Sequence, residues 1–291
     1  MGYTAHVRDR CAELITFQGS GMSILFEAIL LGIVQGITEF LPISSSAHLV
    51  LIPWMFGWQG TLIDSLNFDV ALHAGTLVAI LAFFWRDWFD LLGKFFGGMK
   101  DGTWKTNEGR LVWFIVLATI PAGVLGLKYE HVVEESFRNP LLIAAALVVV
   151  SAVMWSADRF SAKRSGLDRM TLGHSLLIGC AQAVALVPGV SRSGSTIIAG
   201  LMTGYTRESA ARFSFLLSTP VIAGAAVLKL RKLHLLPGEA LPFALGAAVS
   251  AVVGYLSIKY LLQYLNRHSL DVFVWYRLAL AAVVVAVWLV K

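Results

Sequence analysis

Charge is what this 291-residue chain has least of: Asp, Glu, Lys and Arg together make up 14%, against 57% hydrophobic residues. A soluble domain carries roughly a quarter charged residues, so a water-soluble globule is excluded. Cysteine is scarce too. Cys11 lies in the leading tail and Cys180 in an apolar segment, which gives neither a disulfide framework nor metal-ligand spacing. The apolar runs lack the alternation of a closed barrel, and their length suits helices, since a span takes about 20 apolar residues. Residues 1–21 lack the apolar core of a signal peptide, because Arg8, Asp9, Arg10 and Glu13 interrupt them. They read as an N-terminal extension or a cloning remnant. The net charge of +5 reports on topology and on contact with anionic lipid; nothing points to nucleic acid.

The apolar runs predict an all-α polytopic membrane protein. Six of them are long enough to span or nearly so: Leu66 to Trp85, Leu111 to Leu127, Leu141 to Ser156, Phe213 to Leu228, Leu241 to Leu265 and Val272 to Val290. Arg86, Lys94, Lys100, Lys105 and Arg110 then fall in a basic, cytoplasmic loop, as do Arg159, Lys163, Arg164 and Arg169 in another. A short loop holding Glu130, Glu134 and Glu135 is poor in net positive charge and reads as external. Lys229, Arg231 and Lys232 also fall outside in this topology, against the usual trend.

Two further stretches are apolar but carry polar groups. GIVQGITEFLPISSSAH, from Gly32 to His48, holds Gln35, Glu39, Ser44, Ser45, Ser46 and His48. Ionisable groups at membrane depth are costly and usually mark a site. Pro42 stops one helix and the serines can cap the next, so the pattern is helix, break, helix. A shift of 147 positions brings Gly32, Gln35, Ser44 and Ser46 onto Gly179, Gln182, Ser191 and Ser193, in GCAQAVALVPGVSRSGST. Leu186 replaces the carboxylate, Ser195 replaces the histidine, and Arg192 stands opposite Ser45. The two stretches read as halves of one site, each a re-entrant hairpin followed by three spans. An odd number of spans turns the second half upside down, giving an inverted-topology repeat of residues 22–157 and 158–291, with the site near the midplane.

The pattern suits a phosphate. Helix starts offer unpaired N–H groups and a positive dipole end, and the guanidinium of Arg192 matches phosphate oxygens. Gln35 and Glu39, four apart, share a helix face, and Ser45 and His48, three apart, are expected to do the same. A serine with a nearby base is a nucleophile candidate, with His48 or Glu39 as the base. A carboxylate beside phosphate can hold a divalent cation. Ser191, Ser193 and Thr196 are expected to donate to phosphate, joined by Ser44, Ser46 and Gln35. The structural alternatives are that the serines are plain caps, that His48 is a satisfied core histidine, that Arg192 only pairs with Glu39, that Gln35 and Gln182 bridge backbone groups freed at the breaks, and that Asp69 and His73 are a polar pair within one span.

QGITEFLPISSSAHL, followed by PGVSRSGST and FSFLLSTP, resembles the undecaprenyl-diphosphate phosphatase family, the bacitracin-resistance membrane phosphatases of bacterial cell-wall synthesis, over residues 22 to 290. The resemblance implies hydrolysis of undecaprenyl diphosphate to undecaprenyl phosphate in the bacterial inner membrane, at a site open to the periplasm. It further implies dependence on magnesium or calcium, with Glu39, Ser45, His48 and Arg192 as catalytic residues and Glu39 on the metal. Gln35 stands where some members have Glu, and Ala47 where some have Gly. The nucleophile stays open between Ser45, His48 and water. The expected partners are a polyprenyl diphosphate and membrane lipid, with a homodimer as an allowed assembly. The rival reading is a lipid transporter or flippase built on the same repeat. A different class of lipid phosphatase places His six residues after its Arg, where Ile198 stands here.

Overall fold

The computed structural model describes residues 23–58, 62–101, 107–136, 138–231 and 237–291. The reading of residues 1–21 and the cations Lys105 and Lys232 lie outside the described residues. Eleven α-helices are formed among the described residues: α1 (Ser23–Thr38), α2 (Ser45–Phe56), α3 (Leu66–Phe83), α4 (Trp85–Asp101), α5 (Asn107–Ser136), α6 (Pro140–Phe160), α7 (Leu172–Val184), α8 (Arg192–Met202), α9 (Arg207–Leu230), α10 (Ala240–Leu265) and α11 (Asp271–Val290). Six carry a stretch long and apolar enough to cross a membrane, namely α3, α5, α6, α9, α10 and α11, and these coincide with the six apolar runs. The protein is a multi-pass membrane protein. The shorter apolar helices α1, α2 and α7, together with the 11-residue α8, come in two broken pairs.

Two expectations about loops are corrected. The segment from Arg86 to Lys100 is helical, not a loop, because its apolar residues recur at helical spacing. Trp88 and Leu91 of α4 pack on the core while Phe89 and Phe96 stay exposed, so the helix is amphipathic. The acidic residues 130, 134 and 135 likewise continue α5, which runs unbroken to Ser136.

Packing repeats across the two halves. α7 crosses α5 at Gly179, where an added Cβ would strike the carbonyl of Ala118. α1 crosses α10 at Gly32 and Gly36, where a Cβ would lie 2.7 Å from the Gly246 carbonyl oxygen and 2.8 Å from the Gly254 nitrogen. Small residues let membrane helices approach backbone to backbone. Gly32 and Gly179 are the positions equated by the 147-residue shift, so each broken pair leans on a span of the opposite half. α9 is the innermost span, with 56% of its apolar window buried inside the protein, against 28% for α11, whose outer face is left for lipid. Away from the breaks, buried Asp158 ties α6 to α9 and α11, accepting from Arg207 Nε at 2.6 Å and the Leu270 amide at 2.9 Å.

Candidate active site

Both breaks are built the same way. Ser44 and Ser191 adopt left-handed backbone, with φ of 76° and 77°, and cap α2 and α8. Their hydroxyls accept from the Ala47 and Gly194 amides at 3.4 and 3.1 Å. Each hydroxyl also lies 3.2 Å from the second serine of its motif, Ser46 or Ser193. A non-glycine residue in this region costs roughly 1–3 kcal/mol and persists only where the surroundings enforce it.

Arg277 of α11 does that enforcing. Its side chain is fully buried, and its three nitrogens donate to the Pro42 carbonyl at 3.2 Å, the Gly189 carbonyl at 2.8 Å and Ser151 Oγ at 3.2 Å. One guanidinium therefore fixes both breaks at once. The sequence signal was available: Arg277 is a cation inside an apolar span, and such residues are costly unless they have partners.

The breaks bring two half-sites together around Glu39, whose side chain is 2% exposed. Its Oε2 accepts from Gln35 Nε2 at 2.9 Å and from Ser45 Oγ at 2.7 Å. Its Oε1 accepts from Arg192 Nη2, which arrives from the opposite repeat. The Arg192–Glu39 pair and the shared Gln35–Glu39 face are thus present. His73 Nε2 of α3 stands 3.6 Å from Glu39 Oε2. Its Nδ1 donates to the Asp69 carbonyl at 2.7 Å, which aims Nε2 at the carboxylate.

A cavity of about 330 Å³ opens beside this cluster. Ser45, Ser46, Ser191 and Arg192 line it at the breaks, with His73 and Asp69 on α3. It continues along α3 toward Leu66 and along α9 toward Lys229, so it leads to the side where α3 starts and α9 ends. Its flank is apolar, formed by Ala122, Leu186, Val221 and Ile222. Polar groups at one end and hydrocarbon along the side suit an amphiphile with an anionic head.

Other expected residues face elsewhere. Ser193 Oγ donates to the Leu41 carbonyl at 3.0 Å and so joins the two breaks. Thr196 is fully buried, bonding the Arg192 carbonyl at 2.7 Å and Ser214 of α9 at 2.6 Å. His48 does not share the direction of Ser45. Its Nδ1 donates to the Ser44 carbonyl at 2.7 Å, and its Nε2 accepts from Tyr276 Oη at 2.7 Å. Ser45, at the first position of α2, reaches back across the break instead, a direction that residue spacing does not encode. Asp69 and His73, set aside as a polar pair in the sequence, line the cavity.

Among the described residues no group of three or more His, Cys, Asp or Glu side chains gathers to hold a metal. One orphan fits a smaller role. Gln35 is fully buried, and its Oε1 has no hydrogen-bond partner while its Nε2 binds Glu39. The Gln35 amide meets the Glu39 carboxylate through Nε2, and its orphaned Oε1 is a hard oxygen of the kind that magnesium and calcium take, one turn from that carboxylate.

Known proteins are similar to this chain in sequence. The family described as bacitracin resistance protein BacA matches residues 28–283. The undecaprenyl-diphosphatase of Moorella thermoacetica is 51% identical over 269 residues, covering 92% of this chain and 99% of that protein. Those of Pelotomaculum thermopropionicum and Desulforudis audaxviator are 50% and 48% identical, over 90% and 91% of this chain and 97% and 98% of theirs.

Proposed function

Because the chain belongs to the bacitracin resistance protein BacA family, we propose that it is an integral membrane phosphatase that hydrolyses undecaprenyl diphosphate to undecaprenyl phosphate and inorganic phosphate, recycling the carrier lipid of cell-wall synthesis. The observation that carries this reading is the meeting of Ser45, Glu39 and Arg192 beside a cavity that Ser45 and Arg192 line and whose flank is apolar. Phosphoryl transfer asks mainly for positioning and charge neutralisation, and that is what a guanidinium among serine-capped helix starts offers.

In the mechanism the terminal phosphate lies on Arg192 with the hydroxyls of Ser46 and Ser191 beside it. Ser45 Oγ attacks the terminal phosphorus, and its proton passes to Glu39 Oε2, to which it is already bonded at 2.7 Å. The bond from phosphorus to the bridging oxygen breaks, and undecaprenyl phosphate leaves. Water then attacks the phosphoserine, inorganic phosphate departs and Ser45 recovers its proton. What favours this route over attack by His48 is that both His48 nitrogens are committed to Ser44 and Tyr276. His48 then acts as a brace for the first break. Glu39 with Gln35 Oε1 would hold a magnesium or calcium ion, which supplies neutralising charge to the diphosphate when bound.

The location follows from the same reading: the bacterial inner membrane, with the two broken pairs entering as re-entrant hairpins from opposite faces and the cavity open to the periplasm. A transporter would share the repeat but not the serine–carboxylate pair, and no observation favours it. Purified protein in detergent, given undecaprenyl diphosphate with and without EDTA, tests the reading. Cation-dependent phosphate release supports it; lipid translocation in vesicles without phosphate release would transfer the case to the transporter.

A further inference from the structure

Gln182 sits on the last turn of α7, borders the cavity and is 2% exposed. Neither its Nε2 nor its Oε1 has a hydrogen-bond partner. A buried carboxamide with both ends unsatisfied is costly, and an apolar side chain of the same size would not be. It does not bridge backbone groups freed at the break.

Its counterpart in the other repeat accounts for the idle amide. Gln35 donates to Glu39, four residues on, at 2.9 Å. The residue four places after Gln182 is Leu186, whose side chain has no acceptor. The position that steadies the carboxylate in one repeat therefore presents an uncommitted donor and acceptor in the other. Its surroundings are mixed: Ser46, Ser191 and Arg192 belong to the polar end of the same cavity, and Ala185 and Leu186 begin its apolar flank.

A lipid diphosphate must cross that border at the phosphate that carries the hydrocarbon chain. We propose that Gln182 binds this lipid-linked phosphate, its Nε2 donating to a non-bridging oxygen while the terminal phosphate lies on Arg192 and Ser45. The assignment rests on the phosphatase reading. The terminal torsion of a Gln side chain is broad, so the amide turns toward the cavity without movement of α7. A neutral donor also suits the step that follows, because the product keeps this phosphate and must be released, which a second cation would oppose.

The test measures binding, so that it does not depend on turnover. Wild type and Gln182→Leu, purified in detergent, are titrated with a non-hydrolysable polyprenyl methylenediphosphonate, with polyprenyl monophosphate and with inorganic phosphate. The Leu variant is expected to unfold at the same or a higher temperature and to bind both lipid probes about tenfold more weakly, a typical loss for a hydrogen bond to a charged group. Inorganic phosphate, held by Arg192, keeps its affinity. Gln182→Met, which keeps the length of the side chain but has no amide donor, gives the same selective loss and serves if the Leu variant does not fold. Unchanged monophosphate affinity in a folded variant overturns the assignment, and so does an equal loss for all three probes. Phosphate release by the wild type is read from the same preparation. Its absence would sink the phosphatase reading, and the three affinities would still decide whether Gln182 holds the lipid-linked phosphate.

Discussion

Ser45 Oγ donates to Glu39 Oε2 at 2.7 Å across the first break. Nucleophile and base act as a unit, so their losses do not add. Ser45→Ala and Glu39→Gln are each expected to lower kcat by at least about 100-fold, and the double variant scarcely further. Initial rates of phosphate release measure this. Activity in Ser45→Ala within threefold of wild type would eliminate the serine route and leave attack by His48 or by water.

The Tyr276 hydroxyl donates to His48 Nε2, and the two rings lie 14° from parallel. If His48 is a brace, Tyr276→Phe loses one hydrogen bond, about 1 kcal/mol of stability, and less than tenfold in kcat. Thermal unfolding and turnover, read on the same sample, separate the roles. A loss of 100-fold or more without destabilisation would return His48 to the chemistry.

Arg277 holds carbonyls of both breaks. Arg277→Met leaves the Pro42 and Gly189 carbonyls buried without donors, and is expected to cost at least about 3 kcal/mol, since bonds to a charged donor are each worth roughly 1.5–3 kcal/mol. Arg277→Lys, a single point donor, should recover part of this. Denaturant unfolding in detergent checks it; a Met variant as stable as wild type would mean that the breaks hold themselves.

Gly179 meets the Ala118 carbonyl, whereas an added Cβ at Gly123 meets nothing within 4 Å. Gly179→Ala should therefore lower stability by roughly 1–3 kcal/mol. Gly123→Ala, within α5, should be neutral or slightly stabilising. Unfolding temperatures of the two variants make the comparison.

Gln35 Oε1 is buried without a partner. Gln35→Glu puts a second carboxylate there, so the magnesium concentration for half-maximal rate should fall by roughly tenfold, as expected when a ligand set gains charge. EDTA should abolish wild-type turnover, and magnesium or calcium should restore it. A rate indifferent to EDTA would remove the cation from the account.

The six spans and the paired breaks were legible in the sequence because apolar length and a 147-residue self-similarity are linear signals. The shared helix face of Gln35 and Glu39 was legible as well, since spacing of four on a helix decides it, but the bond between them was not. α4 was not, because its cations suggested a loop while its apolar residues, at helical spacing, make it amphipathic. Ser45 and His48 share a spacing but not a direction. The break lets Ser45 fold back to Glu39, while His48 turns to α11. His73 and Arg277 join the site only through tertiary packing, His73 from the next helix and Arg277 from the last. An ionisable side chain within an apolar span was the available signal for both, and for Arg277 it was not used.

The most direct measurement is the initial rate of phosphate release from undecaprenyl diphosphate by wild type and Arg192→Ala, prepared alike and checked for folding by thermal unfolding. Arg192 reaches Glu39 from 153 positions away, so the variant removes what the second repeat brings to the first. The account predicts release by the wild type and a loss of roughly 100- to 1,000-fold in the folded variant, the scale of losing one charge-stabilising donor. A folded wild type that releases no phosphate, or a variant within threefold of it, would contradict the account.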